Sequence, residues 1–258
     1  LVRLLFLKLL CYNYIIKSFF VKILPDTRGR NMGRVQKKNA KNYLLIIIAT
    51  SLACILCIAT VVGGIHMAFG QDHKKQQDIL YQNAQITKPV ITQNLLTANI
   101  NSRPGIALEK VKGIVVHYTA NPGTSAKANR DYFESRKNCE DKAEYKVSSH
   151  FIIGIAGDII QCIPENEIAY ASNSRNKDTI SIECCHPDAT GKFTQKTYQS
   201  LVNLLSYLCV KYHISDQNII RHYDVTKKIC PKYYVKHPKK WEKLKKDVLS
   251  EIKNSEKE

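Results

Sequence analysis

Residues 113–133 read GIVVHYTANPGTSAKANRDYF, and this stretch carries the first evidence for the fold. Its opening residues, GIVVH, form a short apolar run of the kind that makes a buried strand. The Asn-Pro-Gly segment that follows breaks regular structure, and Thr124 or Ser125 is then placed to cap a helix over about 125–137. A strand followed closely by a helix is the repeating unit of an α/β domain.

The next segments extend this pattern with a hairpin and another strand. Residues 147–155 and 159–163 flank Ala156-Gly157-Asp158, which indicates a hairpin turn. Residues 179–185 alternate in polarity, so that Glu183 lies on the face opposite the two isoleucines.

Two amphipathic helices and one more strand complete the domain. Thr194 caps a helix that runs to about Tyr212 with a stripe of leucines, and Pro238 opens a final helix. Between these helices, residues 219–222 read IIRH and predict a further strand. We therefore predict an α/β domain over residues 94–258, with a central mixed β-sheet flanked by helices.

The composition favours a folded domain with an anionic partner. The 258-residue chain has a formal net charge of +17, and its 44% apolar content is sufficient for a packed core. It shows no RNA-binding aromatic motif and no zinc-finger spacing, so we expect no nucleic acid partner. Its nine cysteines are odd in number and scattered, which argues against a disulfide framework and leaves a Cys139–Cys162 pair open.

The N-terminal part of the chain is typical of a membrane anchor. Residues 43–69 contain no Asp, Glu, Lys or Arg, and they exceed the roughly 20 residues needed to cross a bilayer. The basic segment before them, residues 1–42, predicts a cytoplasmic N-terminus. We expect a single-pass protein of the cell membrane, with residues 70–93 as a polar linker and the domain outside, facing the cell wall.

An alternative and a further prediction concern the N-terminal part of the chain. Ala68-Phe69-Gly70 resembles a small-residue cleavage site, so secretion after signal cleavage is the alternative to a retained anchor. Residues 1–31 precede Met32-Gly33-Arg34, which is a natural start for a basic and then apolar anchor. We expect residues 1–31 not to be translated.

Three residues at the predicted strand ends have the side chains of a zinc site. His117 ends the GIVVH strand, His222 ends the IIRH strand, and Cys230 follows on a loop before Pro231. Two imidazoles and one thiolate make a three-ligand set that leaves a fourth position open for water, as in catalytic zinc sites. For each residue alone, a structural histidine or a core cysteine is the simpler alternative.

Four segments together carry a resemblance to a known family. They are GIVVHYTANPGTSAKANRDYF at 113–133, VSSHFIIG at 147–154, ISIECCHP at 180–187 and HYDVTKKICP at 222–231. In this order they resemble the zinc-dependent N-acetylmuramoyl-L-alanine amidases, the family of phage lysozyme-type amidases and peptidoglycan-recognition proteins. The resemblance covers roughly residues 94–252 and is strongest to clostridial-type wall amidases and endolysins.

The resemblance implies a role for each of five residues. It implies Zn²⁺ held by His117, His222 and Cys230. Lys228 matches a lysine thought to stabilise the oxyanion, and Glu183 matches an acidic residue that some members use as the general base. An exposed surface lysine and a solvated strand carboxylate are the simpler alternatives for these last two.

One position departs from the family pattern. Some members place a catalytic tyrosine directly before the histidine of the hairpin, and this chain has Ser149 there. A serine does not reach as far as a phenol, so Glu183 is expected to carry the proton transfer. The resemblance places His150 near the site, as a contact to the substrate or to the ligands.

The expected reaction is hydrolysis of the amide bond between N-acetylmuramic acid and the L-alanine of the peptidoglycan stem peptide. Peptidoglycan is therefore the expected partner, and the sequence makes no prediction about oligomeric state. The alternatives are a peptidoglycan-binding module without activity and a thiol hydrolase with Cys230 as nucleophile and His222 as base. A glycosidase is the least favoured class, because Glu183 has no evident carboxylate partner and Glu165 and Glu167 fall in a polar loop.

Overall fold

The computed structural model describes residues 34–255. Within the long N-terminal helix it leaves out the side chains of residues 34–44, 47, 54 and 66–74. The predicted start at Met32 and the prediction for residues 1–31 lie outside the described residues. The chain divides into two compact units, Leu1–Ala68 and Phe69–Glu258.

The first unit contributes most of an apolar helix. This helix, α1, is Arg34–Asn83, and its segment Ile48–Ile65 has a mean hydropathy of 2.3. The segment is long and apolar enough to cross a membrane by length and composition, and a signal sequence meets the same criteria. The structure therefore shows an apolar helix where residues 43–69 are predicted to form the anchor.

The second unit contains six strands and five further helices in the part of the chain that the structure describes. The strands are β1 (Thr92–Gln93), β2 (Gly113–Tyr118), β3 (Phe151–Ile153), β4 (Ile159–Gln161), β5 (Thr179–Cys184) and β6 (Ile219–Arg221). The helices are α2 (Ala126–Ser135), α3 (Gln195–Tyr212), α4 (His222–Thr226), α5 (Lys232–Lys236) and α6 (Pro238–Asn254). Short 3₁₀ turns lie at Arg136–Asn138, Ala143–Tyr145, Asn173–Arg175 and Asp216–Asn218.

The strands form one sheet in the order β1-β4-β3-β5-β2-β6. The hairpin pair β3 and β4 is antiparallel, and the other neighbouring strands run parallel, so the predicted mixed sheet is confirmed. In the register of β2 and β5, His117 lies opposite Glu183. On the other side of β2, Val116 pairs with Arg221, the residue before His222.

Helices cover both faces of this sheet. Helices α3 and α6 pack on one face, where Ile180 and Ile182 of β5 join their leucines and Trp241 in the larger core. Phe133 of α2 packs on the other face, against Ile152 and the edge of the hairpin. The predicted alternation of β5 is confirmed, since Ile180 and Ile182 belong to the larger core whereas Glu183 lines the groove.

The predicted helix starts are also confirmed. The Ser125 hydroxyl accepts from the backbone N–H of Ala128 at 3.1 Å, so Ser125 rather than Thr124 caps α2. Thr194 caps α3 in the same way, with the N–H of Thr197 at 3.0 Å. The cysteines at 139 and 162, for which pairing was left open, are both free in the structure.

Residues 77–93 differ from the predicted polar linker. Tyr81 near the end of α1 is 3% exposed and belongs to the larger core. Its hydroxyl donates to the carbonyl of Ile214 at 2.8 Å and accepts from the side-chain amide of Gln77 at 2.9 Å. The domain thus begins before Asn94, because this stretch places scattered apolar side chains against the core.

Two backbone contacts fix the rest of that stretch. The N–H of Gln85 donates to the carbonyl of Ser255, beyond the end of α6, at 3.0 Å. Strand β1 then adds to the edge of the sheet by parallel pairing with β4. The sequence pattern missed this, because two paired residues are too few to show a periodicity.

We expect Tyr81→Ala to destabilise the domain by about 3 kcal/mol, since it removes a buried ring and leaves the Ile214 carbonyl without its partner. The measurement is urea unfolding of residues 69–258. Ile79→Ala on the same helix is the control, because Ile79 is 48% exposed and its loss should cost no more than about 0.5 kcal/mol. Equal stabilities for the two variants would show that residues 77–93 act as a tether only.

Candidate metal centre

The fold brings the three predicted metal ligands together at one edge of the sheet. His117 is the next-to-last residue of β2, and His222 opens α4 directly after the neighbouring strand β6. Cys230 lies in the loop between α4 and α5. All three are buried, and their ligand atoms lie within 4.8 Å of one another.

The spacing of these atoms fits a bound zinc ion. The sulfur of Cys230 lies 3.8 Å from Nδ1 of His117, and the two imidazole centroids are 4.7 Å apart. Zinc bonds of the usual length, at a tetrahedral angle, place a sulfur and a nitrogen ligand about 3.6 Å apart. The three donors therefore need little movement to share one ion.

The protonation of the ligands also suits a metal. Burial lowers the pKa of His117 well below its ordinary value and lowers that of His222, so both rings are neutral and keep a lone pair. Burial raises the pKa of the Cys230 thiol to about 12. A divalent cation among the three groups reverses that effect, because it binds the thiolate directly.

Each ligand histidine has a hydrogen-bond partner on its other ring nitrogen. Nε2 of His117 lies 3.1 Å from the hydroxyl of Ser172, and Nε2 of His222 lies 2.9 Å from Oδ1 of Asn173. Sequence reasoning did not identify Ser172 or Asn173, because a Ser-Asn-Ser run signals only a turn.

Glu183 lies beside the ligands, as predicted. Its Oε1 is 3.9 Å from Nδ1 of His117, and its Oε2 is buried without a hydrogen-bond partner among the described residues. Burial raises the pKa of Glu183 to about 8, and the positive charge of Lys228 opposes this shift. A buried carboxylate oxygen without a partner, next to three groups that could ligate a metal, is typical of a site that binds an ion or a water molecule.

Lys228 contributes a positive charge to the same site. It is exposed, and it lines the groove with Glu183 and the ligands. Burial is the main cause of the lowered pKa of His222, and the positive charge of Lys228 lowers that pKa further. The groove has a volume of about 570 Å³, and aromatic residues line it further along, among them Tyr132 and Tyr170.

The structure does not place His150 in this groove, contrary to the prediction. His150 is fully buried, its Nδ1 accepts from the N–H of Ser181 at 3.0 Å, and its Nε2 donates to the carbonyl of Glu167 at 2.8 Å. Both ring nitrogens are therefore used in linking β5 to a loop. The neighbouring Ser149 is also buried and donates to the carbonyl of Phe151, so neither residue reaches a substrate.

The two glutamates considered for a glycosidase are engaged elsewhere. Glu165 pairs with Lys211 at 2.9 Å, and Glu167 pairs with Arg103 at 2.8 Å. Glu183 is the one acidic residue among the described residues that line the groove. The site lacks the second carboxylate that glycoside hydrolysis requires.

Comparison with known proteins supports the family resemblance. Residues 107–233 match the family model for N-acetylmuramoyl-L-alanine amidase, and this range contains all three ligands together with Glu183 and Lys228. The resemblance seen in the sequence is thereby confirmed.

Curated proteins similar to this chain come from bacilli. It is 35% identical over 176 residues to the N-acetylmuramoyl-L-alanine amidase CwlL of Bacillus licheniformis, a match that covers 64% of this chain and 48% of that protein. It is 30% identical over 184 residues to the N-acetylmuramoyl-L-alanine amidase BlyA of Bacillus subtilis (strain 168), covering 63% and 48%. The chain spans about half the length of these relatives.

Solved structures share the fold of a large part of this chain. A mutant endolysin from Bacillus subtilis superposes with a TM-score of 0.52 at 29% identity, covering 64% of this chain and 99% of that one. The catalytic domain of XlyA superposes with a TM-score of 0.52 at 28% identity, covering 62% and 99%. Nearly the whole of each of these structures therefore corresponds to the C-terminal part of this chain.

We expect the purified protein to hold one zinc ion per chain, and we expect His117→Ala and Cys230→Ala each to lose it, because two remaining ligands bind zinc weakly. Metal analysis after dialysis against zinc-containing and then zinc-free buffer measures the stoichiometry. The control is Cys139→Ala, which removes a free thiol outside the cluster and should keep the metal. Retention of one zinc by Cys230→Ala would contradict the assignment.

Proposed function

We propose that this chain hydrolyses the amide bond between N-acetylmuramic acid and the L-alanine of the peptidoglycan stem peptide. The observation that carries the proposal is the convergence of two histidines, a cysteine, a glutamate and a lysine in one groove of an amidase-family domain. The names of the curated relatives support the same reaction. Water is the second substrate, and the products are a muramic acid carboxylate and a peptide with a free amino terminus.

His117, His222 and Cys230 are the residues that hold zinc in this proposal. When bound, zinc supplies a Lewis acid that activates water and polarises the scissile carbonyl. The three ligands carry one negative charge in total, so a net positive charge remains at the centre to serve that purpose.

Glu183 is the proposed proton carrier. Its unpartnered Oε2 takes a proton as water attacks the carbonyl carbon, and the same carboxyl group then gives that proton to the departing amide nitrogen. Burial raises the pKa of this carboxyl group towards neutral pH, which suits a group that both accepts and donates. Ser149 is buried and turned to the backbone, so the groove has no tyrosine at that position to do this work.

Lys228 is the proposed partner of the oxyanion. As the carbonyl carbon becomes tetrahedral, its oxygen gains negative charge, and an ammonium group close to it stabilises the transition state more than the ground state. The exposed end of Lys228 lines the groove beside the ligands, where this charge develops.

We expect Glu183→Gln to lower kcat by 10²- to 10⁴-fold while zinc remains bound, because the amide neither accepts nor returns the proton (~10²–10⁴ is the usual range for general acid–base catalysis). The assay is release of new free amino groups from purified peptidoglycan, with zinc content measured on the same samples. An unchanged rate would transfer the role of base to another group.

We expect Lys228→Ala to lower kcat by roughly 10²-fold, since one donor to the oxyanion is lost. Lys227→Ala is the matched control, because Lys227 is also exposed but does not line the groove. Equal rates for the two variants would remove Lys228 from the mechanism.

The thiol hydrolase alternative is less well supported. A nucleophilic cysteine needs a lowered pKa and access to the substrate, whereas Cys230 is 3% exposed and burial raises its pKa to about 12. Nδ1 of His117 lies 3.8 Å from the Cys230 sulfur, and no hydrogen bond joins Cys230 to the proposed base His222 among the described contacts. Activity that survives complete removal of zinc would revive this alternative, and zinc binding without released amino groups would leave a binding module.

We further propose that residues 43–69 anchor the chain in the cell membrane, with the amidase domain outside and facing the wall. The apolar segment Ile48–Ile65 and the basic residues before it support this arrangement. Peptidoglycan lies on that side of the membrane, so the anchor would deliver the groove to its substrate.

We expect the full chain to stay in the membrane fraction after a carbonate wash and to lose its domain when intact spheroplasts are treated with protease, because the domain is outside. Immunoblotting of the fractions measures both. Recovery of a soluble form that starts near Gly70 would instead demonstrate signal cleavage.

A further inference from the structure

The 3₁₀ turn Asn173–Arg175, together with Ser172 before it, contacts both ligand histidines. We infer that Ser172 and Asn173 are positioning residues that set the ring orientation and the proton location of His117 and His222 for metal binding. This inference rests on the zinc site of the proposed function. It concerns residues outside the ligand set, which neither spacing nor family resemblance had singled out.

The chemistry of Asn173 fixes the proton on His222. The amide oxygen Oδ1 accepts hydrogen bonds and does not donate them, so Nε2 of His222, at 2.9 Å, must carry the hydrogen. A neutral imidazole has one N–H, and the lone pair therefore lies on Nδ1. That nitrogen is left to face the metal.

Ser172 contacts the same ring nitrogen of His117, but its hydroxyl can donate or accept, so it supports the Nε2–H form when Nδ1 binds a metal. Nδ1 of His117 is the nitrogen that faces the sulfur of Cys230 at 3.8 Å and the carboxylate of Glu183 at 3.9 Å. When Nδ1 gives its lone pair to a metal, Nε2 carries the hydrogen and donates it to the Ser172 hydroxyl at 3.1 Å. Ser172 is 1% exposed, so water has little access to replace this partner.

The turn that carries both partners is itself held in place. The side-chain oxygen of Asn176 accepts from the backbone N–H groups of Ala171 and Ser172, at 3.1 and 2.6 Å. The backbone N–H of Arg175 donates to the carbonyl of Ser172 at 3.0 Å. The partners of the two histidines are therefore fixed by backbone contacts within one short segment.

Because one turn contacts both imidazole rings, it fixes the orientation of the two rings relative to each other. The two imidazole planes meet at 60° with centroids 4.7 Å apart, and each ring is held on the side away from the other ligands. Loss of either contact frees one ring to rotate and to adopt the wrong tautomer. Partners of this kind typically change metal affinity by about 10- to 100-fold.

The test is the zinc affinity of the full chain in detergent, measured by competition with a chromophoric chelator. We expect Ser172→Ala and Asn173→Gly each to weaken zinc binding by about 10- to 100-fold. Glycine is chosen at 173 because Asn173 has a φ of 52°, which glycine adopts without strain. Ser174→Ala is the matched control, since Ser174 is exposed on the same turn and contacts neither ring, and its affinity should equal that of the wild type.

A rescue variant separates positioning from a general loss of structure. Asn173→Asp keeps an acceptor oxygen at the same place and tolerates the same backbone conformation, so its zinc affinity should return to within a few-fold of the wild type. Cobalt in place of zinc gives a second readout, because its visible absorption reports the coordination geometry. The glycine variant should change this spectrum and the aspartate variant should restore it.

The outcomes are distinct. Wild-type affinity and spectrum in folded Ser172→Ala and Asn173→Gly would overturn the inference and leave the zinc site intact. Equal weakening in Asn173→Gly and Asn173→Asp would also overturn it, since only the glycine variant lacks the acceptor. A wild-type chain that binds no zinc would overturn the metal site of the proposed function, and the positioning role with it.

Discussion

Parallel pairing of β2 with its two neighbours is the constraint on which the site depends. Parallel strands end at the same edge of a sheet, so strand pairing brings together residues that are far apart in the chain. His117 on β2 faces Glu183 on β5 in register, and His222 follows the last paired residue of β6. The central strands are buried on both faces, which ties their register to the packing of the core.

The same burial disfavours charge on the four groups that converge at this edge of the sheet. Burial lowers the pKa of both ligand histidines and raises that of Cys230 and Glu183, so each shift disfavours the charged form. Burying the charged forms of these groups costs free energy unless an opposite charge compensates them. One divalent cation does so, because it converts the thiol into a bound thiolate and attracts the neighbouring carboxylate. These groups are the same ones to which the proposed reaction assigns a role.

Most of the framework could be predicted from the sequence, because it rests on strong local patterns. The apolar run before His117, the alternation around Glu183 and the caps at Ser125 and Thr194 all have a direct local cause, and the structure contains them. The three predicted ligands could be identified because they follow predicted strands and because their imidazole and thiol side chains are of the kind that binds zinc. Tyr81 could not be placed, since a single aromatic residue among polar neighbours gives no period and its partner Ile214 is 133 residues away.

Polar residues were harder to assign than apolar ones, for a physical reason. The family resemblance placed His150 near the site, yet its ring nitrogens hydrogen-bond to the backbone of Ser181 and Glu167. No sequence pattern singled out Ser172 or Asn173, yet they contact the rings of His117 and His222. Hydrogen-bond partners depend on three-dimensional direction, which sequence spacing does not encode.

X-ray absorption spectroscopy of the zinc-loaded protein tests the central claim most directly, because it reports the atoms bound to the metal. The account predicts one sulfur at about 2.3 Å and two imidazole nitrogens at about 2.0–2.1 Å, completed by an oxygen ligand. A first shell without sulfur, or with fewer than two imidazoles, would contradict it.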